Sequence, residues 1–327
     1  MLVTGGAGYV GSIVAERLIQ QGYNVIVLDN LQQGHESAVL QTAEFIRGDS
    51  SDREILEGLF GGFQIGAVMH MAAETVIEYS MTDPKRHFEN NVAGGIALLD
   101  AMLKHGVFKF IFSSSAAVYG EPRSVPIEED HPKEPINAYG ESKLMLERIL
   151  HWYGKAYGLK HISLRYFNAA GASQLLGEDH HPETHLIPNI LKAALDKNNP
   201  VPVFGTDYPT KDGTCIRDYV HVTDIAQAHV LALENVDELT GRAYNLGNSQ
   251  GYSVLEIVET VRKIAGVDIP TRISPRRPGD PAVLVASSAR AKAELGWNPR
   301  LSDIETIIGN AWKWFKENPK GYKKSSI

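Results

Sequence analysis

The sequence predicts an α/β fold: a parallel sheet with helices on both faces, followed by a smaller α/β substrate-binding lobe. Three observations carry this expectation. Short apolar runs rich in Val, Ile and Phe alternate with longer segments of helical periodicity up to about residue 170. These runs are near-continuously apolar, as strands are when crossover helices cover both sides of a parallel sheet. Beyond that point the rhythm breaks into long loops such as GASQLLGEDHHPE and GTDYPTKDGTCIRD.

Taken in order, strands are predicted at 1–4, 24–29, 43–48, 67–72, 109–114 and 161–167, each ending where small or polar residues begin. Helices are predicted at 10–21, 52–60, 88–105 and 142–157 from their apolar spacing. The first strand is short, with three residues before Thr4. Two units follow: a first domain at 1–170 and a smaller substrate-binding lobe at 171–327, some of whose elements are expected to pack back on the first. Ligands of such sheets bind beyond the carboxyl ends of the strands, where the motifs below fall.

A chain of 327 residues with 43% hydrophobic and 22% charged residues is an ordinary globular protein, large enough for a sizeable core. Its formal charge of −7 argues against nucleic acid or an anionic membrane as partner. Cys215 is the single cysteine, so no internal disulfide forms. It is read as a buried thiol rather than a nucleophile. No run of ~18 apolar residues is present, and Met1-Leu2-Val3 leads straight into a glycine turn, so a cytoplasmic protein is expected. The KKSSI tail is expected to be solvated.

Thr4-Gly5-Gly6-Ala7-Gly8-Tyr9-Val10-Gly11 follows the first strand and opens the first helix. Gly5, Gly8 and Gly11 serve where a backbone turns tightly, approaches a pyrophosphate and packs against a strand. Backbone N–H groups at Tyr9 and Val10 then face the phosphates. Asp29 ends the second strand about 20 residues on, as the Rossmann-like pattern requires. Its charge accepts the adenosine ribose hydroxyls and repels a 2′-phosphate, which selects NAD over NADP. Asp49, beside Ser50, reads either as a contact to the adenine edge or as a turn-capping residue; Asn30 follows Asp29.

Tyr139 and Lys143 stand at i, i+4 and so share a helix face. Using a phenol of pKa ~10 as a neutral-pH base requires a drop of roughly 3 units, about 4 kcal/mol. One cation at ~4 Å with an effective dielectric near 20 supplies energy of that order. Lys143 is therefore expected to lower the pKa of Tyr139 and to hold the nicotinamide ribose. His70, inside a strand, is read as a packed residue.

Together TGGAGYVGS, SSSAAVYG and YGESK resemble the extended short-chain dehydrogenase/reductase family. That resemblance implies that Ser115 hydrogen-bonds the reacting hydroxyl, with Tyr139 and Lys143 handling the proton and NAD the hydride. Ser113, Ala72, Asn90 and Tyr166 are then cofactor-side residues, while Ser114 is supporting. Dehydratases of the family carry an acid pair where this chain has Ala116 and Ala117, so elimination is disfavoured and hydride out, hydride back remains. RYFNAAG at 165–171, HPETHLIP at 181–188, DGTCIRDYVHVTD at 212–224 and RRPGD at 276–280 are similar to segments of the family's sugar-nucleotide 4-epimerases. This implies interconversion of UDP-glucose and UDP-galactose. Asn168, Arg217 and Arg277 would hold the diphosphate and sugar, and Asp280 the uridine ribose, with His185, Leu186 and Phe204 around the nucleotide.

The resemblance also implies a homodimer paired through the helices at 88–105 and 142–157. Two departures matter. Thr75 stands where a phosphate-binding lysine is common, and Leu284 replaces a bulky tyrosine, leaving room for the N-acetyl group of UDP-GlcNAc or UDP-GalNAc. No metal is expected at His180, His181, His185 or His221, since hydride chemistry needs none. The rivals are a UDP-uronate epimerase or decarboxylase, and a non-enzymatic dinucleotide sensor with no reason to keep Ser115, Tyr139 and Lys143 together.

Overall fold

The structure is a computed structural model that describes residues 1–196, 200–277 and 280–322. Pro278, Gly279 and the KKSSI tail lie outside the described residues. In chain order the first half contains β1 (Leu2–Thr4), α1 (Tyr9–Gln20), β2 (Ile26–Asp29), β3 (Glu44–Arg47), α2 (Arg53–Gly62) and β4 (Val68–His70). It continues with α3 (Ile77–Thr82), α4 (Pro84–His87), α5 (Gly94–Lys104), β5 (Lys109–Ser115), α6 (Ala138–Tyr157), β6 (Lys160–Tyr166) and β7 (Asn168–Ala170). The second half contains α7 (Leu186–Leu195), β8 (Val201–Phe204), β9 (Ile216–His221), α8 (Val222–Glu234), β10 (Arg242–Leu246), β11 (Gly251–Ser253) and α9 (Val254–Ala265). It ends with β12 (Thr271–Ser274), β13 (Val283–Leu284), α10 (Ala289–Glu294) and α11 (Ile304–Glu317).

Seven strands in the order β10-β6-β5-β4-β1-β2-β3 form one sheet, parallel throughout. Alternation along each strand sends its side chains to two separate cores. Val3, Val27, Met69, Ile111 and Leu164 pack on one face with α1 and α8. Leu2, Ile26, Leu28, Val68, Phe110 and Phe112 pack on the other with α2, α5 and α6. Each such side chain removed from water contributes roughly 1.5–3 kcal/mol, so a one-residue slip in register would expose an entire face. The strand order reverses between β1 and β4, which opens the ligand crevice at the carboxyl end of β1.

β10 and α8, from beyond residue 170, complete this first layer. The smaller lobe gathers β7, β11 and β13 around β9, and pairs β8 with β12. Helices α7, α9 and α11 cover it around Trp314. A Ser253–Glu256 capping box starts α9.

Two helix starts differ from expectation. The segment expected at 88–105 is already helical at Pro84, which fits the first helical position, and it passes through a wide turn at Phe88–Ala93 before α5. That turn carries Asn91 inward, where its amide donates to the Glu74 carbonyl at 3.0 Å and to the Ser142 hydroxyl at 2.9 Å. The other helix begins at Ala138 rather than 142, because the Asn137 side chain accepts the Gly140 N–H at 2.8 Å. Tyr139 thus sits in the first turn of α6.

Candidate active site

The turn after β1 is shaped for a close approach of backbone to ligand. Gly5 has φ +70°, and a Cβ there would stand 2.5 Å from the Ala72 nitrogen; a Cβ on Gly11 would stand 2.1 Å from the Gly5 carbonyl oxygen. No side chain caps α1, whose first N–H groups, Tyr9 and Val10 among them, remain available to an anion. The Tyr9 side chain turns away and donates to the Gly171 carbonyl at 2.7 Å, so its backbone is what it offers a cofactor.

Asp29 is buried. One carboxylate oxygen accepts the Ala7 N–H at 3.0 Å and the other the Leu31 N–H at 2.8 Å, which fixes the group at the end of β2. Burial pushes its pKa up, and these two backbone donors pull it back. Leu31 holds φ 61°, a left-handed conformation unusual for a branched residue, next to this carboxylate. Asn30 donates to Asp49 at 2.8 Å, while Ser51 donates to Asp49 through both its N–H and its hydroxyl. Despite partial burial those donors hold the Asp49 carboxyl below its ordinary range. Ser50 is half-buried beside it. The uncapped helix, the cradle that a Cβ would fill and the Asp29 carboxyl group held at the end of β2 all fit NAD.

The strand end resolves the three serines. Ser113 offers its carbonyl to Lys143 Nζ at 2.9 Å, Ser114 donates to Glu147 at 2.6 Å, and the Ser115 hydroxyl accepts the Ala117 N–H at 3.1 Å. The Ser115 hydroxyl also hydrogen-bonds Tyr139, pulling its phenol pKa down against the burial that raises it. Lys143 lies 5.8 Å from the Tyr139 ring centroid, and burial lowers its pKa to about 7. The expected lowering of Tyr139 by Lys143 is therefore not what these residues achieve by themselves. Desolvation acts on both groups and favours their neutral forms. An oxidised nicotinamide bound here would supply positive charge that favours the phenolate.

Tyr166 also belongs to this wall, its hydroxyl meeting His229 Nε2 and Met71 Sδ. His70 hydrogen-bonds Thr4 at 2.7 Å and is held neutral by burial at a pKa of about 3, a packed residue as expected. Asn90 accepts the Glu74 N–H at 3.2 Å, sharing that donor with Asn91.

On the second lobe the guanidinium of Arg277 stacks over Phe204 at 4.0 Å. Arg217 donates to the Ile216 and Pro281 carbonyls and meets Asp280 at 3.3 Å. Leu186 packs by Val203 and the buried Cys215. Asn168 starts β7 opposite Tyr219, and Leu284 is paired with Arg217 across β13 and β9. His185 is more committed than expected. Its Nδ1 contacts Glu178 at 2.6 Å and Glu183 at 3.4 Å; burial opposes its charge, but these carboxylates raise its pKa to about 10. Only its Nε2 is left for a substrate.

Sequence reasoning missed a cleft of about 410 Å³ lined by Gln32, Ser51 and Asn90, the cations Lys85 and Arg86, and the acids Asp83 and Glu89. Arg86 also pairs with the buried Glu74 at 2.6 Å. These cations lie on the cofactor side of a chain that has Thr75 in place of the common lysine. The sequence signal was the Lys85-Arg86 pair just before Asn90. His229 was missed as well, since a lone histidine in an apolar helix carries no mark of its partner.

Comparison with known proteins agrees with this geometry. Residues 1–247 match the model of the NAD dependent epimerase/dehydratase family. A UDP-glucose 4-epimerase of Lacticaseibacillus casei is 49% identical over 323 residues, covering 98% of each chain. A crystal structure of a UDP-glucose 4-epimerase superposes with TM-score 0.96 at 48% identity, covering 99% of each chain. The Bifidobacterium longum UDP-glucose 4-epimerase in complex with NAD+ and UDP superposes with TM-score 0.94 at 39% identity, covering 98% of this chain and 99% of that one. The fold, the glycine cradle and the full-length similarity agree: this chain belongs to the NAD dependent epimerase/dehydratase family.

Proposed function

We infer that the chain is an NAD-dependent isomerase that interconverts UDP-glucose and UDP-galactose through a 4-keto intermediate. The observation that carries this reading is the Ser115–Tyr139 hydrogen bond beside Lys143, in a strand end where positions 116 and 117 are alanines. Those groups can move one proton at one hydroxyl, and the two alanines give nothing with which to expel water. NAD, held by the glycine turn and Asp29, would supply the hydride acceptor and donor for C4. Tyr139, steadied by Ser115, takes the proton of the C4 hydroxyl and later gives it back. Lys143 holds the strand end and the ribose side.

The substrate is anchored by its nucleotide, with Asn168, Arg217 and Arg277 at the diphosphate and sugar, Asp280 at the uridine ribose, and His185, Leu186 and Phe204 around the nucleotide. Arginine forks suit phosphate oxygens, and an anchor at that end leaves the sugar free to turn its other face. NAD lies in the first lobe, residues 1–170 with α8 and β10, and the UDP-sugar against residues 171–327. Leu284, half-buried beside Ala116 and Phe167, favours a second reading in which N-acetylated UDP-sugars are also accepted. A homodimer is part of the proposal, supported by the exposed Trp152 and Tyr157 on α6. So is a cytoplasmic location, supported by the single buried Cys215. Among the described residues no helix is long and apolar enough to cross a membrane.

The test is to incubate the purified protein with UDP-galactose and, separately, UDP-GalNAc, and resolve the products. UDP-glucose is expected from the first; no epimer from either sinks the reading, while none from UDP-GalNAc alone removes only the second.

A further inference from the structure

We propose that Glu178, His180, Glu183 and His185 form a structural site for a tetrahedral divalent cation of the zinc class, between the dinucleotide turn and the second lobe. One ligand atom from each of the four lies within 4.8 Å of all the others. His180 Nδ1 stands 3.2 Å from Glu178 Oε1, and His185 Nδ1 stands 2.6 Å from the same oxygen and 3.4 Å from Glu183 Oε1. Ligand atoms bound at about 2.0–2.1 Å in a tetrahedron are about 3.4 Å apart. Two of these three separations already match that value, and the third lengthens by less than an ångström.

An independent observation points the same way. The Glu178 and Glu183 side chains are each 5% exposed, and Glu183 Oε2 is buried without a hydrogen bond. Its cation contact is Lys192 at 3.7 Å, too long for a hydrogen bond. Glu183 Oε1 already accepts the His185 backbone N–H at 2.9 Å, and the desolvation cost left at Oε2 is offset by a cation that this carboxylate binds through Oε2 or through both oxygens.

The donor set chooses the class of ion. Magnesium and calcium take oxygen ligands, whereas two imidazoles with two carboxylates suit zinc. Four protein ligands close the tetrahedron and leave no position for a reacting water, so the site holds structure and does no chemistry. What it holds is the segment between β7 and α7. The His180 ring meets the edge of Tyr9 at 6.2 Å between centroids, just after the glycine turn, and His185 immediately precedes Leu186 at the nucleotide anchor. The ion would tie both ligand-binding regions to one point. The proposal departs from the metal-free expectation in architecture only; the hydride reaction still needs no metal.

His181 is the internal control. Its side chain is 75% exposed and contacts Asp179 at 3.3 Å, outside the four. The NAD-loaded full chain, stripped with a chelator and dialysed, is titrated with zinc chloride against a chromogenic chelator. The expected result is one zinc per chain in the native protein and in His181→Ala, with affinity at least about a hundredfold weaker in His180→Ala/Glu183→Gln. If the double variant does not fold by circular dichroism, His180→Gln, titrated the same way, is expected to show the loss instead. Replacement by cobalt should give the intense visible absorption of a tetrahedral site. No stoichiometric zinc in the native protein, or undiminished affinity in the folded variants, overturns the proposal.

Discussion

Lys143 Nζ donates to the Ser113 carbonyl at 2.9 Å and lies 5.8 Å from the centre of the Tyr139 ring, so one amine serves both the strand end and the phenol. Burial holds its pKa at about 7, against 10.5 for an ordinary lysine. The unfolded chain therefore binds more protons than the folded one between pH 7 and 10.5, and the Lys143 contribution makes stability rise across that window. Lys143→Met removes the cost of burying the amine. Without added nucleotide the variant should melt higher than the native chain at pH 7, its unfolding free energy larger by on the order of a few kcal/mol, with the gain shrinking toward pH 10.5. Its turnover should fall by about 10²–10⁴. Thermal melts across pH check the first expectation and initial rates the second.

Both Asp29 oxygens are held by backbone N–H groups, at 3.0 Å from Ala7 and 2.8 Å from Leu31, which leaves their other lone pairs for ribose hydroxyls. Asp29→Ser should weaken NAD binding by about 10–100-fold, the loss of a charge-assisted hydrogen bond. The same change lifts the repulsion of a 2′-phosphate, so preference for NAD over NADP should narrow. Competitive titration with both nucleotides reads the ratio.

Glu147 receives a two-pronged contact from Arg165, at 2.9 and 2.6 Å, together with the Ser114 hydroxyl at 2.6 Å. Both side chains are at most 10% exposed. Glu147→Gln leaves the Arg165 charge buried without its counter-ion, and unfolding free energy should drop by about 3–5 kcal/mol. Denaturant midpoints measure it. Because Ser114 is the neighbour of Ser115, kcat should fall further than NAD affinity does.

Strand-helix alternation and the glycine turn made the first layer legible as far as β6, since these depend on local periodicity and backbone sterics. The return of β10 to the edge of that sheet was legible only as a general expectation, because strand pairing across some 75 residues leaves no local mark. The start of α6 was misplaced because Asn137 acts as a cap through geometry that composition does not display. Ser115, Tyr139 and Lys143 were legible as types and spacings. Their protonation was not, because it follows from burial, and burial is a property of the folded pocket. Glu178 and Glu183 went unnoticed for the same reason: within EDHHPETH nothing tells which side chains turn toward one another.

The central claim is that one hydrogen leaves C4 of the sugar and comes back to the same carbon from the other face. The direct measurement uses UDP-galactose carrying deuterium on C4, with the UDP-glucose formed analysed by mass spectrometry and nuclear magnetic resonance. The account predicts that the label is retained on C4 of the product; its loss to water would contradict it.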